Sequence, residues 1–148
     1  MEEITTLDAE EQTAVTQLFS PTGRLTRALP GFVARPPQIE MAHAVEKAIL
    51  NHETLVVEAG TGTGKTYAYL VPSLLSRKRV ILSTATKTLQ DQLVEKDLPT
   101  LIRALGLSVR VQNLKGRANY ICKYRVQLYF EEGRFNHPKI AHDLLTVH

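Results

Sequence analysis

Residues 58–66 read Glu-Ala-Gly-Thr-Gly-Thr-Gly-Lys-Thr, and this stretch decides the predicted fold. It follows a short β-branched run at 54–58 and precedes a segment, 65–75, whose apolar residues recur at helical spacing. A strand, a glycine-rich turn and a helix that opens with Lys-Thr form the Walker A pattern of a phosphate-binding loop. Ala59 replaces the first glycine of that pattern, but the glycines after it keep the backbone flexible.

The chemistry expected of this loop follows from its backbone. Small residues let the chain wrap a phosphate so that several N–H groups point inward, and the helix from Lys65 presents its positive dipole end to the anion. Lys65 would reach the β- and γ-phosphates of ATP, and the Thr66 hydroxyl would bind Mg²⁺. The alternative is a glycine-rich turn without a ligand. The predicted nucleotide-binding residues are Ala59, Gly60, Thr61, Gly62, Thr63, Gly64, Lys65 and Thr66, with the last two as candidate catalytic residues.

Three short segments with strand-like composition lie at 54–58, 79–83 and 108–112. They alternate with helical patterns, which predicts an α/β fold with a parallel sheet flanked by helices. A typical sheet has about five strands, so the sheet is expected to be incomplete at the C-terminal end.

Apolar spacing also predicts several helices, and glycines mark two of their ends. The helices are expected at 6–19, from Pro37, at 65–75, at 87–105 (unbroken or broken near Pro99) with Gly106 as C-cap, at 120–132 with Gly133 as C-cap, and from Pro138.

Composition narrows the class of protein. The 148 residues include one cysteine, which excludes an internal disulfide, and no run of 18 apolar residues that would span a membrane. The acidic start lacks the pattern of a secretory signal, so a cytoplasmic location is expected.

Charge is distributed unevenly along the sequence. Residues 1–60 carry nine acidic and four basic side chains, whereas residues 61–148 carry six acidic and fourteen basic ones. A basic half suggests a phosphate or nucleic-acid partner, although a solvated surface would look the same.

Several motifs together resemble one helicase family. Besides residues 58–66, the segments 19–23 and 30–38 are similar to its N-terminal lead-in, 83–93 to its motif Ia, and 114–122 to the approach to its iron–sulfur domain. The family is the DinG/XPD group of superfamily 2 DNA helicases, with YoaA-type bacterial proteins nearest. The resemblance implies part of a RecA-like P-loop NTPase domain, helicase domain 1.

The resemblance also implies roles for residues before the loop. Gln38 stands where the family places a glutamine that reads the edge of adenine, and Arg35 would support the same site. A carboxamide can pair with both the amino group and the ring nitrogen of adenine. The alternative for Gln38 is an exposed residue at the start of a helix.

Nucleic-acid contacts are implied in two places. Thr84, Thr86 and Gln90 in motif Ia would lie near single-stranded DNA, with simple N-capping of the next helix as the alternative. Lys115 and Arg117 would contact DNA phosphates, with a solvated basic turn as the alternative.

An iron–sulfur cluster is implied only for a longer protein. Cys122 matches the first of four thiolate ligands of a [4Fe–4S] cluster, and one cysteine cannot hold a cluster alone. The implied division is an N-terminal helical extension at 1–20, the start of helicase domain 1 at 21–114, and the start of an iron–sulfur insertion at 115–148.

The implied function is the N-terminal portion of an ATP-dependent DNA helicase that moves 5′ to 3′ on single-stranded DNA, with DNA repair as the expected setting. The sequence has no Asp-Glu-Ala-His box, whose carboxylates would hold Mg²⁺ and position water, so the piece itself is expected only to bind nucleotide. One alternative is a stand-alone nucleotide-binding remnant or regulator. Another is a small P-loop kinase, which explains the length but not Gln38 or motif Ia.

Overall fold

The computed structural model describes residues 13–132 and residue 142. The chain divides into two units, Met1–Gln112 and Asn113–His148. The first unit contains six α-helices in its described part, together with one π-helical turn at Leu93–Asp97: α1 Ala14–Phe19, α2 Arg24–Ala28, α3 Pro36–Asn51, α4 Lys65–Leu75, α5 Lys87–Gln92 and α6 Leu98–Leu105. The described part of the second unit has a 3₁₀ turn, Arg117–Asn119, and α7, Lys123–Glu132.

The predicted parallel sheet is wrong. Segments 54–58, 79–83 and 108–112 have no regular secondary structure, and the described residues contain only helical elements. Within the described ranges, no backbone hydrogen bond joins any of these segments to another. A strand exists only when a neighbour satisfies its N–H and C=O groups, so β-branched composition alone does not make one. Val56 and Ile81 are each 90% exposed, and the α/β, partial RecA-like assignment is replaced by a helical architecture.

The predicted helices that bracket the glycine-rich loop are confirmed. The helix predicted at 65–75 is α4, and the helix predicted from Pro37 is α3, which begins one residue earlier. Proline suits this position because the first turn of a helix has no intrahelical partner for its N–H groups.

The helix predicted at 87–105 is confirmed as α5, the π-helical turn and α6 in one continuous run, with Gly106 as a left-handed C-cap at φ 65°. The helix predicted at 120–132 begins later, at Lys123. In the described range, the helix predicted from Thr6 starts at Ala14. Residues 6–12, the Gly133 cap and, apart from residue 142, the helix predicted from Pro138 lie outside the described residues.

The core of the first unit forms where the helices cross. Helix α3 packs against α4, α1 against α2 and α3, and α6 against α2 and α4. Ring centroids of Phe19 and Phe32 lie 6.2 Å apart, and those of Phe32 and Tyr67 5.9 Å apart, so a chain of tilted aromatic rings joins α1 to α4. The fully or nearly fully buried apolar residues are Val15, Phe19, Leu25, Ala42, Ala68, Leu70, Val71, Leu93, Leu98, Leu101 and Leu105.

The π-helical turn ends two residues before Pro99, and the helix continues through this proline without the break that the proline could have caused. Proline lacks an N–H and its ring crowds the carbonyl four residues back. A wider turn at 93–97 relieves that conflict while the helix stays continuous. Its last residue, Asp97, is buried, with 5% of its surface exposed.

Candidate phosphate-binding site

The glycine-rich loop runs directly into the N-terminus of α4. Gly64 is the N-cap of this helix at φ 82°, and Gly62 lies in the same left-handed region at φ 75°. Glycine adopts this conformation without the steric cost that other residues pay. The two glycines therefore let the chain turn sharply just before Lys65.

The loop and the first turn of α4 expose a row of unused backbone donors. Within the described part of the chain, no backbone N–H of residues 60–67 donates a hydrogen bond. The first N–H groups of a helix have no intrahelical acceptor, and here the loop extends that row. Such a row of donors at a positive helix end suits an anion.

The carbonyl oxygens of the same loop accept bonds from side chains. The Lys65 ammonium donates to the carbonyls of Ala59 and Gly60, with Nζ–O distances of 2.6 and 2.7 Å. The Thr63 hydroxyl also donates to Gly60, at 3.0 Å. Lys65 thus lies against the loop it is predicted to serve.

Two residues at the start of α3 reach the loop from outside. The Arg35 guanidinium donates to the carbonyl of Gly62 at 2.6 Å, and the Gln38 carboxamide donates to the carbonyl of Gly64 at 2.9 Å. Gln38 is only 4% exposed, so the alternative of an exposed helix-start residue is wrong. Its contact with adenine stays a prediction.

Thr66 lies near Tyr69, a half-buried residue of α4 that sequence reasoning missed. Partial burial raises the pKa of Tyr69, the side chain of Thr66 opposes the rise, and the charge of Asp97 adds to it. Burial also raises the pKa of Tyr67, with Asp97 again contributing. Asp97 accepts a bond from the Gln92 carboxamide at 3.0 Å.

A sequence signal for the burial of Asp97 does exist. It stands four residues after Leu93 and four before Leu101, and both leucines are buried. Residues spaced by four share one face of a helix, so this spacing places the carboxylate on the core side.

The motif Ia candidates gather at the start of α5. Thr86 is the N-cap, and its hydroxyl accepts from the N–H of Leu89 at 3.3 Å. The Thr84 hydroxyl donates to the Thr86 carbonyl at 3.2 Å, and Gln90 is a half-buried residue of α5. The capping alternative is therefore confirmed for Thr86, and it does not exclude contact with DNA.

The remaining candidates belong to the second unit. Arg117 is exposed, Lys115 is half-buried, and the backbone N–H of Lys115 donates to the Tyr120 hydroxyl at 2.7 Å. Cys122 is a free, exposed thiol. Over the described residues, no three His, Cys, Asp or Glu side chains gather as metal ligands would. No described helix is both long and apolar enough for a transmembrane span.

Comparison with known proteins identifies the relatives of this chain. The model of the DEAD/DEAH box helicase family matches residues 37–127, which is more than half of the chain. The ATP-dependent DNA helicase YoaA of Escherichia coli is 55% identical over 113 residues, covering 76% of this chain and 18% of that protein. YoaA of Haemophilus influenzae is 45% identical over 141 residues, covering 95% of this chain and 22% of that protein.

A more distant relative carries a different description. The 3′-5′ exonuclease DinG of Bacillus subtilis is 35% identical over 120 residues, covering 78% of this chain and 13% of that protein. No solved structure matches the chain. The chain thus spans about a fifth of the length of the two YoaA proteins it matches.

Proposed function

The chain belongs to the DEAD/DEAH box helicase family, and on that premise we propose that it is the phosphate-binding portion of an ATP-dependent DNA helicase. The YoaA proteins it resembles bear that description. One observation carries the proposal: residues 60–67 present backbone N–H groups that donate no hydrogen bond within the described chain, beside the ammonium of Lys65.

The loop is proposed to bind the phosphates of ATP. Carbonyls hold Lys65 in the free chain, and a triphosphate offers ionised oxygens, which attract the ammonium by charge as well as by hydrogen bonding. Lys65 would therefore move from the loop carbonyls to the β- and γ-phosphates. Thr66, in the first turn of α4, would give Mg²⁺ one hydroxyl ligand while phosphate oxygens supply others. Gln38, with Arg35 beside it, is proposed to contact adenine.

Nucleic-acid binding is proposed for the basic part of the chain. Thr84, Thr86 and Gln90 would contact the backbone of single-stranded DNA through hydroxyl and amide groups, and Lys115 and Arg117 through charge. In the whole protein these contacts would serve movement in the 5′ to 3′ direction during DNA repair, in the cytoplasm. Support comes from the fourteen basic side chains among residues 61–148, against six acidic ones.

The residues present do not fit an iron–sulfur cluster. A [4Fe–4S] cluster needs four thiolates, and the chain has one cysteine, which is exposed and free. Cys122 is proposed as a ligand only for a longer protein that supplies three more. The division into domains at 1–20, 21–114 and 115–148 is likewise proposed from the family resemblance.

By itself, the chain is proposed to bind nucleotide without hydrolysing it. The observation behind this is the lack of an Asp-Glu-Ala-His box among its 148 residues, since carboxylates position the attacking water in this chemistry. The same observation favours the second candidate function, a non-catalytic nucleotide-binding regulator.

A binding titration tests the proposal. We would titrate the 148-residue chain with MgATP by calorimetry and compare Lys65→Ala with Lys78→Ala. Lys78 is a matched control because its ammonium also donates to a backbone carbonyl, that of Ile49 at 2.9 Å. We expect at least about a tenfold loss for Lys65→Ala, the usual scale for a lost charged hydrogen bond, and none for Lys78→Ala. Equal affinity in all three proteins would mean that the loop is a turn without a ligand.

A further inference from the structure

We propose that Arg35 and Gln38 act as a brace for the loop: they hold its carbonyl oxygens so that its N–H groups face a phosphate, whatever base the nucleotide carries. This inference rests on the proposed phosphate-binding function and goes beyond it. It assigns the two residues an effect on phosphate affinity that is separate from any contact with adenine.

The two contacts are alike in an unusual way. Arg35 is the N-cap of α3, and Gln38 follows three residues later, within its first turn. Each donates to the carbonyl of a glycine with positive φ, Gly62 at 75° and Gly64 at 82°. The brace therefore acts at the two points where the loop turns most sharply.

Holding a carbonyl also aims an N–H group. The C=O of one residue and the N–H of the next share a planar trans peptide, so they point in opposite directions. Fixing the Gly62 carbonyl thus orients the N–H of Thr63, and fixing the Gly64 carbonyl orients the N–H of Lys65. Both N–H groups belong to the row that donates no hydrogen bond within the described chain.

The two side chains of the brace stand at the start of a long, packed helix. Helix α3 is 16 residues long and packs against α4, the helix that the loop enters. Gln38 is 4% exposed, and a Cβ atom on Gly64 would lie 2.2 Å from its Nε2 atom. A side chain at position 64 would therefore clash with Gln38, whereas glycine fits, and the hydrogen bond opposes a shift of the loop end away from α3.

Arg35 supplies the part of the brace that can be removed without touching the core. Its side chain is exposed, and its charged bond to Gly62 is short, at 2.6 Å. Without that bond the loop would sample other shapes, and affinity would fall in proportion to the fraction of chains in the binding shape.

The experiment compares two ligands that share phosphates and differ in the base. We would titrate the chain with MgATP and with magnesium tripolyphosphate, using wild type, Arg35→Ala, Arg35→Lys and Gln38→Met. Arg27→Ala is the matched control, because Arg27 is an exposed arginine that donates to a backbone carbonyl, Thr22, at 2.6 and 2.8 Å. Thermal unfolding of each variant would check the fold, which Arg35→Ala leaves intact because the side chain is exposed.

If the brace exists, Arg35→Ala lowers the affinity for MgATP and for magnesium tripolyphosphate by the same factor, about tenfold for a charged hydrogen bond. Gln38→Met likewise lowers both affinities by one factor. Arg35→Lys should recover part of the affinity, and Arg27→Ala should change nothing. A loss for ATP with unchanged tripolyphosphate binding would overturn the brace in favour of base contact, and unchanged affinity for both would overturn it outright. If the wild-type chain bound neither ligand, the proposed function itself would fail, which is a different result from these.

Discussion

The side-chain nitrogen of Gln38 lies 2.9 Å from the carbonyl oxygen of Gly64, and a Cβ atom on Gly64 would come within 2.2 Å of that nitrogen. The contact joins a residue of α3 to the N-cap of α4 across 26 positions of sequence. Position 64 is therefore restricted twice, by its backbone conformation and by its neighbour. Each restriction has a measurable energy.

Gly64→Ala should destabilise the chain more than Gly31→Ala does. Gly31 has a similar φ of 76° with nothing within 4 Å of a Cβ atom, so alanine there costs only the strain of the left-handed region, about 1–2 kcal/mol. Alanine at 64 adds the loss of the Gln38 bond, about 1 kcal/mol more. Urea unfolding measures both. Equal losses would show that Gln38 moves aside without cost.

Gly23→Ala should also destabilise the chain, for a purely steric reason. Gly23 has an ordinary φ of −70°, but a Cβ atom would lie 2.3 Å from the carbonyl oxygen of Leu18. Because the obstacle is backbone, α1 and α2 must separate, at a cost of about 1–3 kcal/mol. Gly60→Ala is the control, since its nearest atom would be 3.9 Å away. A midpoint for Gly23→Ala that matched this control would contradict the packing at that junction.

Thr86 should show two separable effects. Thr86→Ala removes the N-cap of α5 and should cost about 1 kcal/mol, as should Thr13→Ala, which removes a cap of the same 3.3 Å geometry from α1. If Thr86 also contacts DNA, only its variant should weaken binding of a labelled oligothymidine in fluorescence anisotropy. Thr86→Asp should keep the cap yet repel phosphate. DNA binding that merely followed stability across these variants would remove Thr86 from the proposed DNA contacts.

Stability should fall at alkaline pH, and Asp97 should contribute to the fall. Burial, and secondarily the charge of Asp97, raises the pKa of Tyr67 above its ordinary 10.0. Tyr69 shifts in the same direction. A raised pKa means that the folded state holds these protons more tightly, so the stabilisation is complete below pH 10 and is lost as the pH rises from 10 through the folded values.

Asp97→Asn removes the charge but not the burial. It should therefore lower the pKa of both tyrosines part of the way back toward 10.0, and ultraviolet titration of the phenolates would measure this change. Thr66→Val should instead raise the pKa of Tyr69, because the Thr66 side chain lowers it. Unchanged titration curves in Asp97→Asn would place the carboxylate too far from the rings to matter.

Local patterns predicted the helices well because each helix satisfies its own backbone. Helix α4 and the Gly106 cap lie where the spacing of apolar residues and the glycine indicated. The predicted strands failed because a strand depends on partners far away in sequence. Val56 and Ile81 have strand-like neighbours in sequence, but no backbone hydrogen bond among the described residues pairs their segments.

In the site, too, local features could be predicted and contacts between distant residues could not. The loop and Lys65 could be identified from one continuous motif. The contacts of Arg35 and Gln38 with loop carbonyls join residues 27 and 26 positions apart, so no local pattern predicts them. The family resemblance predicted a role for both residues, but at the base and not at the loop.

The π-helical turn at Leu93–Asp97 has a consequence for the orientation of α5. One additional residue in a helical turn rotates everything before it by about 100° about the axis relative to everything after it. Helix α6 is fixed by three buried leucines, whereas α5, all of it in the described range, buries no residue. The orientation of Thr86 about that axis thus depends on the number of residues in the turn at Leu93–Asp97. Deleting one residue from the turn would rotate the start of α5 to another side of the helix axis, while α6 kept its packing in the core.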